Sequence, residues 1–270
     1  MTTMGRSSKT TLVSATCFGV RIEIECPESE SAAVAAHLPV HSKFTSVYDL
    51  THKFALEPVE GNLFCVRCGA SRKAPAQPLD VALRSLQKEL QLCVAERATS
   101  CVFIHAGVVQ MNGITMIFPG YSHAGKSTLV WSLLQAGAVY YSDEYAVFDE
   151  QGAIHPFPSP LHLRSPDGDR QLIVPNRVGP LPHALQVVVF VTFEPHSVWQ
   201  PRILRPSETM MQLIRNSIGI RRNPSFVLPI IRKVSMQARA FAGVRGEAAQ
   251  VVQWAQQMLF LSQFCIEPFY

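Results

Sequence analysis

The sequence predicts an α/β protein. A mixed sheet is built around a glycine-rich loop, with an N-terminal α+β segment over residues 1–98 and a main domain over 99–270 whose C-terminal part is helical. Three observations predict this. Two β-rich runs flank Asn112-Gly113 in "CVFIHAGVVQMNGITMIFPG", and that dipeptide suits the positive φ angles of a type I′ hairpin. The second run leads into "GYSHAGKST", Gly120 to Thr128, and then into "LVWSLLQA", so strand, glycine loop and helix follow one another. From Ser207 onward the apolar residues recur mostly at helical spacing.

The elements follow in order. Residues 11–75 read as strands around one helix: "VRIEIEC" alternates with period two, "ESESAAVAAHL" is helical, and "SVYDL" and "NLFCVRC" are extended. "PLDVALRSLQKELQLCVAE" brings Leu79, Val81, Ala82, Leu86, Leu90 and Val94 near helical spacing, with Pro78 close to the start of the helix. The helix after the glycine loop runs to Ala136 and stops at Gly137. "AVYY" is a short strand, and "YAVFDEQGAIHPF" is a hairpin turning at "DEQG". "LQVVVFVTF", Leu185 to Phe193, is a buried strand, too short to span a bilayer. "EAAQVVQWAQQML" buries Ala248, Val251, Val252, Ala255 and Leu259 on one side of a helix.

Composition sets the class. Of 270 residues, 47% are apolar and 16% charged, which fits a folded globular chain and excludes a disordered one. Seven cysteines without regular spacing fit thiols in a reducing compartment. The first twenty residues hold no apolar stretch of signal-peptide length, so the expected location is cytoplasmic. Cys65 and Cys68 form a lone C-x-x-C and read as strand cysteines. His155 and His162, near prolines, read as loop residues, and Trp131 as core. Charge is unevenly spread. Between Pro201 and Gly246 nine basic residues face one acid, Glu208, a net +8 that leaves −4 on the rest of the chain. Such a segment attracts phosphates or an acidic partner, or forms a solvated helical face.

The chemistry centres on the loop. Gly120, Gly125, Lys126 and Ser127 fit G-x-x-x-x-G-K-[ST]. Its backbone, here Gly120, Tyr121, Ser122, His123, Ala124 and Gly125 leading into Lys126, Ser127 and Thr128, turns successive N–H groups toward phosphate oxygens at the positive end of a helix. In such a loop the lysine reaches the β- and γ-phosphates and the hydroxyl serves Mg²⁺, which makes ATP and Mg²⁺ the expected ligands. The structural alternative is a glycine turn between a strand and a helix.

Two further groups are expected beside the loop. A two-residue hairpin at Asn112-Gly113 pairs Met111 with Ile114 and Val109 with Met116. Continued unbroken, that register sets His105 opposite Gly120, at the loop's mouth. "SDEY" follows "AVYY". If that strand runs parallel to the loop strand, Asp143 and Glu144 emerge on the edge where ligands of such sheets collect. A carboxylate there takes a proton from an acceptor hydroxyl, and another holds Mg²⁺.

The stretch "FIHAGVV…NG…FPGYSHAGKSTLV…AGAVYYSDEYAVFDEQGAIHPF" resembles the catalytic domain of HPr kinase/phosphorylase and its HPr-kinase-related relatives, whose fold phosphoenolpyruvate carboxykinases share. The likeness covers roughly Ser100 to Arg164. It implies the P-loop-containing mixed sheet of that type and an ATP-dependent kinase acting on a serine hydroxyl. By position, Asp143 matches the family's general base and Glu144 the neighbouring acid. Lys126 and Ser127 match the phosphate and metal ligands, His105 the active-site histidine, and Arg164 an arginine that ends a later strand. The chain departs from the family pattern at His123, in place of a loop glycine, at Glu144, in place of aspartate, and at His162, where the family has a metal-binding glutamate. Residues 1–98 do not align with the N-terminal domain of the HPr enzymes.

The expected function is transfer of the γ-phosphoryl group of ATP to a hydroxyl, a serine of a protein or peptide. A small-molecule hydroxyl kinase and a non-catalytic ATP-binding switch stand as alternatives. Asp143, His105 and Lys126 are the expected catalytic residues, and Ser127, Glu144 and Asp143 the metal ligands. Arg221 and Arg222, in a turn before Pro224, are expected on the acceptor, an acidic one fitting the basic segment. Neither a nucleic acid nor a membrane is an expected partner, and a homo-oligomer is left open.

Overall fold

A computed structural model describes residues 9–44, 52–73, 75–120, 125–164, 170–176, 178–179 and 182–262. The chain divides into two compact units, Met1–Ser100 and Cys101–Tyr270.

The first unit holds strands β1 (Thr10–Cys17) and β2 (Val20–Pro27), helix α1 (Ser31–Ala36), strands β3 (Lys43–Phe44), β4 (His52–Val59), β5 (Leu63–Cys68) and β6 (Ser71–Arg72), and helix α2 (Leu79–Arg97). They form a six-stranded sheet in the order β3-β1-β2-β4-β5-β6. The period-two pattern of "VRIEIEC" is realised in β2, where Val20, Ile22, Ile24 and Cys26 are buried. Helix α2 starts after Pro78 and buries Ala82, Leu83, Leu86, Leu90 and Val94. The stretch "SVYDL" lies outside the described residues.

The second unit runs β7 (Val102–Met111), β8 (Ile114–Pro119), α3 (Lys126–Gln135), β9 (Val139–Ser142), β10 (Tyr145–Phe148), β11 (Ala153–His155), β12 (Leu161–Arg164), β13 (Arg170–Ile173), β14 (His183–Ala184), β15 (Val187–Phe193), β16 (Arg202–Leu204), α4 (Pro206–Asn216), α5 (Pro224–Gln237), β17 (Arg239–Arg245) and α6 (Ala248–Ser262). Nine strands form one mixed sheet, ordered β14-β11-β10-β7-β8-β15-β17-β16, with β9 also paired to β7. Strands β8, β15 and β17 are mutually parallel in sequence of contact, and the loop strand β8 sits near the centre.

Alternation along the central strands explains the layers. Ile104, Ala106 and Val108 of β7 join Ile117 and Val188 in a core with Leu213 of α4 and Ile230 and Ile231 of α5. Met116 and Phe118 of β8 and Val187 and Val189 of β15 join a second core with Leu129, Val130 and Leu133 of α3 and Val251 and Ala255 of α6. Strands covered on both faces must be apolar at nearly every position, which is why "LQVVVFVTF" carries no alternation.

The region after Ser207 is mostly helical, as its spacing predicts, and it also holds "RAFAGVR" as β17, a strand parallel to β15 throughout its length. Two expectations are corrected. His155 and His162 lie on strands β11 and β12, not on loops, and His155 Nε2 bonds Asp149 Oδ2 at 2.9 Å. Trp131 is only half-buried, packed against the α3–α6 core.

Candidate functional site

The hairpin fixes the first part of the site. Asn112 and Gly113 adopt φ of 50° and 84°, as a type I′ turn requires. Met111 pairs with Ile114 and Val109 with Met116, and the register continues unbroken to Ala106 opposite Pro119. One step further, the Gly120 N–H donates to the His105 carbonyl at 3.2 Å. His105 therefore stands where β8 ends and the glycine loop begins.

Helix α3 starts at Lys126 behind Gly125, whose φ of 74° is left-handed. Glycine takes this angle without strain. Across the loop's ends, Lys126 Nζ donates to the Gly120 carbonyl at 2.7 Å. Lys126 is buried, and that burial pulls its ammonium below the usual range, against the pull of Asp143 and Glu144. The first turn of α3 contains no acidic residue, and Gly125 offers no side-chain cap. The positive end of the helix is thus left with a buried lysine beside it. This is the electrostatics of an anion site. Thr128, also in the first turn, is exposed. Tyr121, Ser122, His123 and Ala124 lie outside the described residues.

Asp143 and Glu144 occupy a two-residue bend between β9 and β10. Strand β9 runs antiparallel to β7, as β8 does, so β9 and β8 point the same way. The pair does not end the ladder, however. Val108 pairs with Ser142 before the bend and His105 with Tyr145 after it, so the chain continues along the same edge of β7. In a regular strand neighbouring side chains face opposite ways. Here the Tyr145 N–H donates to Ser142 Oγ at 3.1 Å and the Ala106 N–H to the Glu144 carbonyl at 3.2 Å, which holds the bend.

The two acids meet different surroundings. Ser127 Oγ donates to Asp143 Oδ2 at 2.6 Å, while Oδ1 is buried without a hydrogen-bond partner among the described residues. Burial, opposed by the Ser127 hydrogen bond and reinforced by Glu144, pushes the Asp143 carboxyl up to about 7. Glu144 is more open, its side chain 42% exposed, with Oε2 at 3.3 Å from His105 Nε2. The site thus joins His105, Gly120, Gly125, Lys126, Ser127, Asp143 and Glu144 at one edge of the sheet.

The remaining candidates are more dispersed. Arg164 ends β12, which pairs with β13 in a separate two-stranded sheet, and its side chain lies outside the described residues. Arg221 and Arg222 are exposed in the turn between α4 and α5. That connection abuts the site's strand: Ser217 bridges Ile104, and the Ile218 N–H donates to the Phe103 carbonyl at 3.0 Å. No three or more His, Cys, Asp or Glu side chains are grouped to hold a metal among the described residues. None of the six described cysteines is in a disulfide, and no described helix is long and apolar enough to cross a membrane.

Two residues of the site are not evident from the motifs. Gly107 lies on β7 under α3, where a Cβ would come 2.5 Å from Val130 Cγ2 and 3.7 Å from Asp143 Oδ1. Arg245, the last residue of β17, reaches the Gly125 carbonyl at 3.0 Å. Only the alternation in "RAFAGVR" hints at its strand.

No family model and no curated protein matches the chain. Among solved structures, a likeness is found to the Hpr(Ser) kinase/phosphatase from Coxiella burnetii, at 12% identity and a TM-score of 0.28, covering 60% of this chain and 94% of that one. At that score the likeness carries no weight for fold or function.

Proposed function

We propose that the chain is an ATP-dependent kinase that transfers the γ-phosphoryl group to a hydroxyl, with a serine of a protein or peptide as acceptor. The observation that carries this reading is the loop–helix junction. Lys126 and an acid-free helix N-terminus create a buried positive site, and the Ser127–Asp143 hydrogen bond ties a carboxylate to it. Phosphoryl transfer needs these elements: charge to follow the phosphate, and a base near the incoming hydroxyl.

The residues fit the implied metal. Asp143 Oδ1 is a buried acceptor lacking a donor, and Ser127 Oγ lies beside the same carboxylate. Ser127, with Glu144 and Asp143, would hold Mg²⁺, which when bound neutralises phosphate charge. The chain's own part is positional. Lys126 leaves the Gly120 carbonyl for the phosphate oxygens. Asp143, with a pKa about 7, accepts the hydroxyl proton near neutral pH, where a base of matched affinity works best. His105, 3.3 Å from Glu144, flanks the acceptor's approach.

Lys126→Ala tests the reading. With the full chain, Mg-ATP and an acceptor peptide mixture, acceptor-dependent ADP release and phosphoserine in the product are expected from the wild type and absent from the variant. Near-normal turnover by Lys126→Ala would remove the nucleotide loop from the mechanism. ATP binding without acceptor-dependent ADP release would leave a switch and not an enzyme.

A further inference from the structure

Arg245 is 3% exposed at the C-terminal end of β17, on the edge of the sheet where β8 gives way to the loop. Its Nη2 donates to the Gly125 carbonyl at 3.0 Å and its Nη1 to the Gly246 carbonyl at 2.8 Å. The guanidinium carbon lies 5.2 Å from the centre of the Phe193 ring. Nε is buried with no hydrogen-bond partner, and no ion pair is formed among the described residues; the acid that acts on it, Glu247, is exposed. Leaving a buried charge unpaired is costly. The location raises that cost. Arg245 and Lys126 both crowd the positive end of α3, whose first turn contains no acid. The backbone partners offer only partial charge. The missing component is an anion.

We propose that Arg245 is a positioning residue of the phosphate loop: it holds the Gly125 carbonyl at the head of α3, and its buried charge finds its counter-ion in the phosphate chain of the bound nucleotide. This rests on the nucleotide-loop reading above. Two roles are joined in one side chain. The hydrogen bond fixes the left-handed Gly125, where a Cβ would strike Arg245 Nη2. The charge adds to that of Lys126 at the head of α3, and the pairing of β17 with β15 along its whole length keeps its backbone in place. Burial lowers the guanidinium's proton affinity, as expected of a cation waiting for its partner.

The test separates charge from bracing. Arg245→Gln removes the charge and keeps a polar amide that reaches only to the level of Nε; Arg245→Lys keeps the charge and loses the fork. In the full chain, binding of inorganic tripolyphosphate and of Mg-ATP is measured by calorimetry, and melting is followed without ligand. Arg245→Gln is expected to melt no lower than the wild type, because an uncompensated buried charge is gone, and to bind tripolyphosphate at least about tenfold more weakly, the loss of one charge-assisted contact. Arg245→Lys is expected to stay within about threefold of the wild type. Equal losses in the two variants, or a lower unliganded melting temperature in Arg245→Gln with unchanged binding, would make Arg245 a brace only and overturn the proposal. Should Arg245→Gln fail to fold, Arg245→Lys decides alone: retained binding supports the charge role, and a tenfold loss overturns it. A wild type that binds neither probe overturns both this inference and the nucleotide-loop reading, whereas a wild type and an Arg245→Gln variant that bind equally well overturn only this one.

Discussion

Ser127 Oγ lies 2.6 Å from Asp143 Oδ2, and that hydrogen bond links the first turn of α3 to the bend after β9. It satisfies one carboxylate oxygen and leaves the other buried and unpaired. An unpaired buried oxygen disfavours the charged form, so burial outweighs the hydrogen bond and lifts the pKa to about 7.

The sign of the stability effect follows. The folded protein holds the Asp143 proton to higher pH than the unfolded chain does. Its contribution to stability is therefore complete below about pH 4 and is lost as pH rises to about 7. Asp143→Asn removes this loss. Relative to the wild type, the unliganded variant is expected to gain stability steadily from about pH 4 to pH 7 and then level off, by up to about 4 kcal/mol at about 1.4 kcal/mol per pKa unit. Denaturant melts at matched pH values measure it. A difference independent of pH would mean that Asp143 titrates like an exposed carboxylate.

The same substitution removes the proposed base. Turnover is expected to fall about 10²–10⁴-fold with Mg-ATP binding largely kept. In the wild type kcat/KM is expected to rise with pH as the Asp143 carboxyl, raised by burial, loses its proton, and the variant is expected to lose that rise. Single-turnover rates across pH test this directly.

Glu144 is placed for a different task. Its side chain is 42% exposed and 3.3 Å from His105, and the buried Lys126 that it attracts keeps Asp143 as a second acid when Glu144 is neutralised. Glu144→Gln is expected to raise the Mg²⁺ concentration needed for half-maximal rate while the rate at saturating Mg²⁺ changes little. Should excess Mg²⁺ restore Asp143→Asn instead and leave Glu144→Gln impaired, the two acids have exchanged roles.

These relationships were legible in the sequence to different degrees. The Asn112-Gly113 turn sets the register of its own hairpin, and local geometry carried that register eight residues back to His105. Lys126 and Ser127 are likewise visible in the sequence, because the end of β8, Gly125 and the start of α3 follow one another along the chain. The acidic pair was placed on the right edge, but the continuation of β9 into β10 along one edge of β7 was not, since a two-residue bend has no strong sequence signature. Arg245 was hidden by distance. Its partner Gly125 is 120 positions away, and the parallel pairing of β15 with β17 that brings it there depends on a tertiary register. Between helical neighbours, a strand rich in alanine, glycine and arginine has little intrinsic β preference.

Gly107 yields a prediction of packing. It lets Val130 of α3 rest on β7 with Asp143 alongside. Gly107→Ala would put a methyl 2.5 Å from Val130 Cγ2, too close for either to stay in place. Overpacking of this kind costs about 1–3 kcal/mol. Because the displaced helix bears Lys126 and Ser127, ATP affinity should fall along with stability. Gly107→Ala combined with Val130→Ala relieves the contact and is expected to recover the affinity. Failure of the pair to recover it would show that Gly107 acts through backbone conformation and not through space.

Arg221 and Arg222 lie in the exposed turn of the α4–α5 connection, and that connection hydrogen-bonds β7 at Phe103, two residues before His105. In the proposed reaction the acceptor approaches His105 and the acidic pair, whereas the loop and Lys126 serve ATP. A pair of exposed arginines on the flanking segment suits an acidic or phosphate-bearing acceptor through long-range attraction. Such attraction is screened over a Debye length of about 8 Å at physiological ionic strength. Arg221→Ala/Arg222→Ala is therefore expected to raise the acceptor KM several-fold and to flatten its dependence on salt, with the ATP KM unchanged. Steady-state kinetics at low and high salt give both constants. An increase confined to the ATP KM would move the two arginines to the nucleotide, and constancy of both would leave them a solvated surface, since nothing else on that turn would then distinguish them from the other basic residues of the segment.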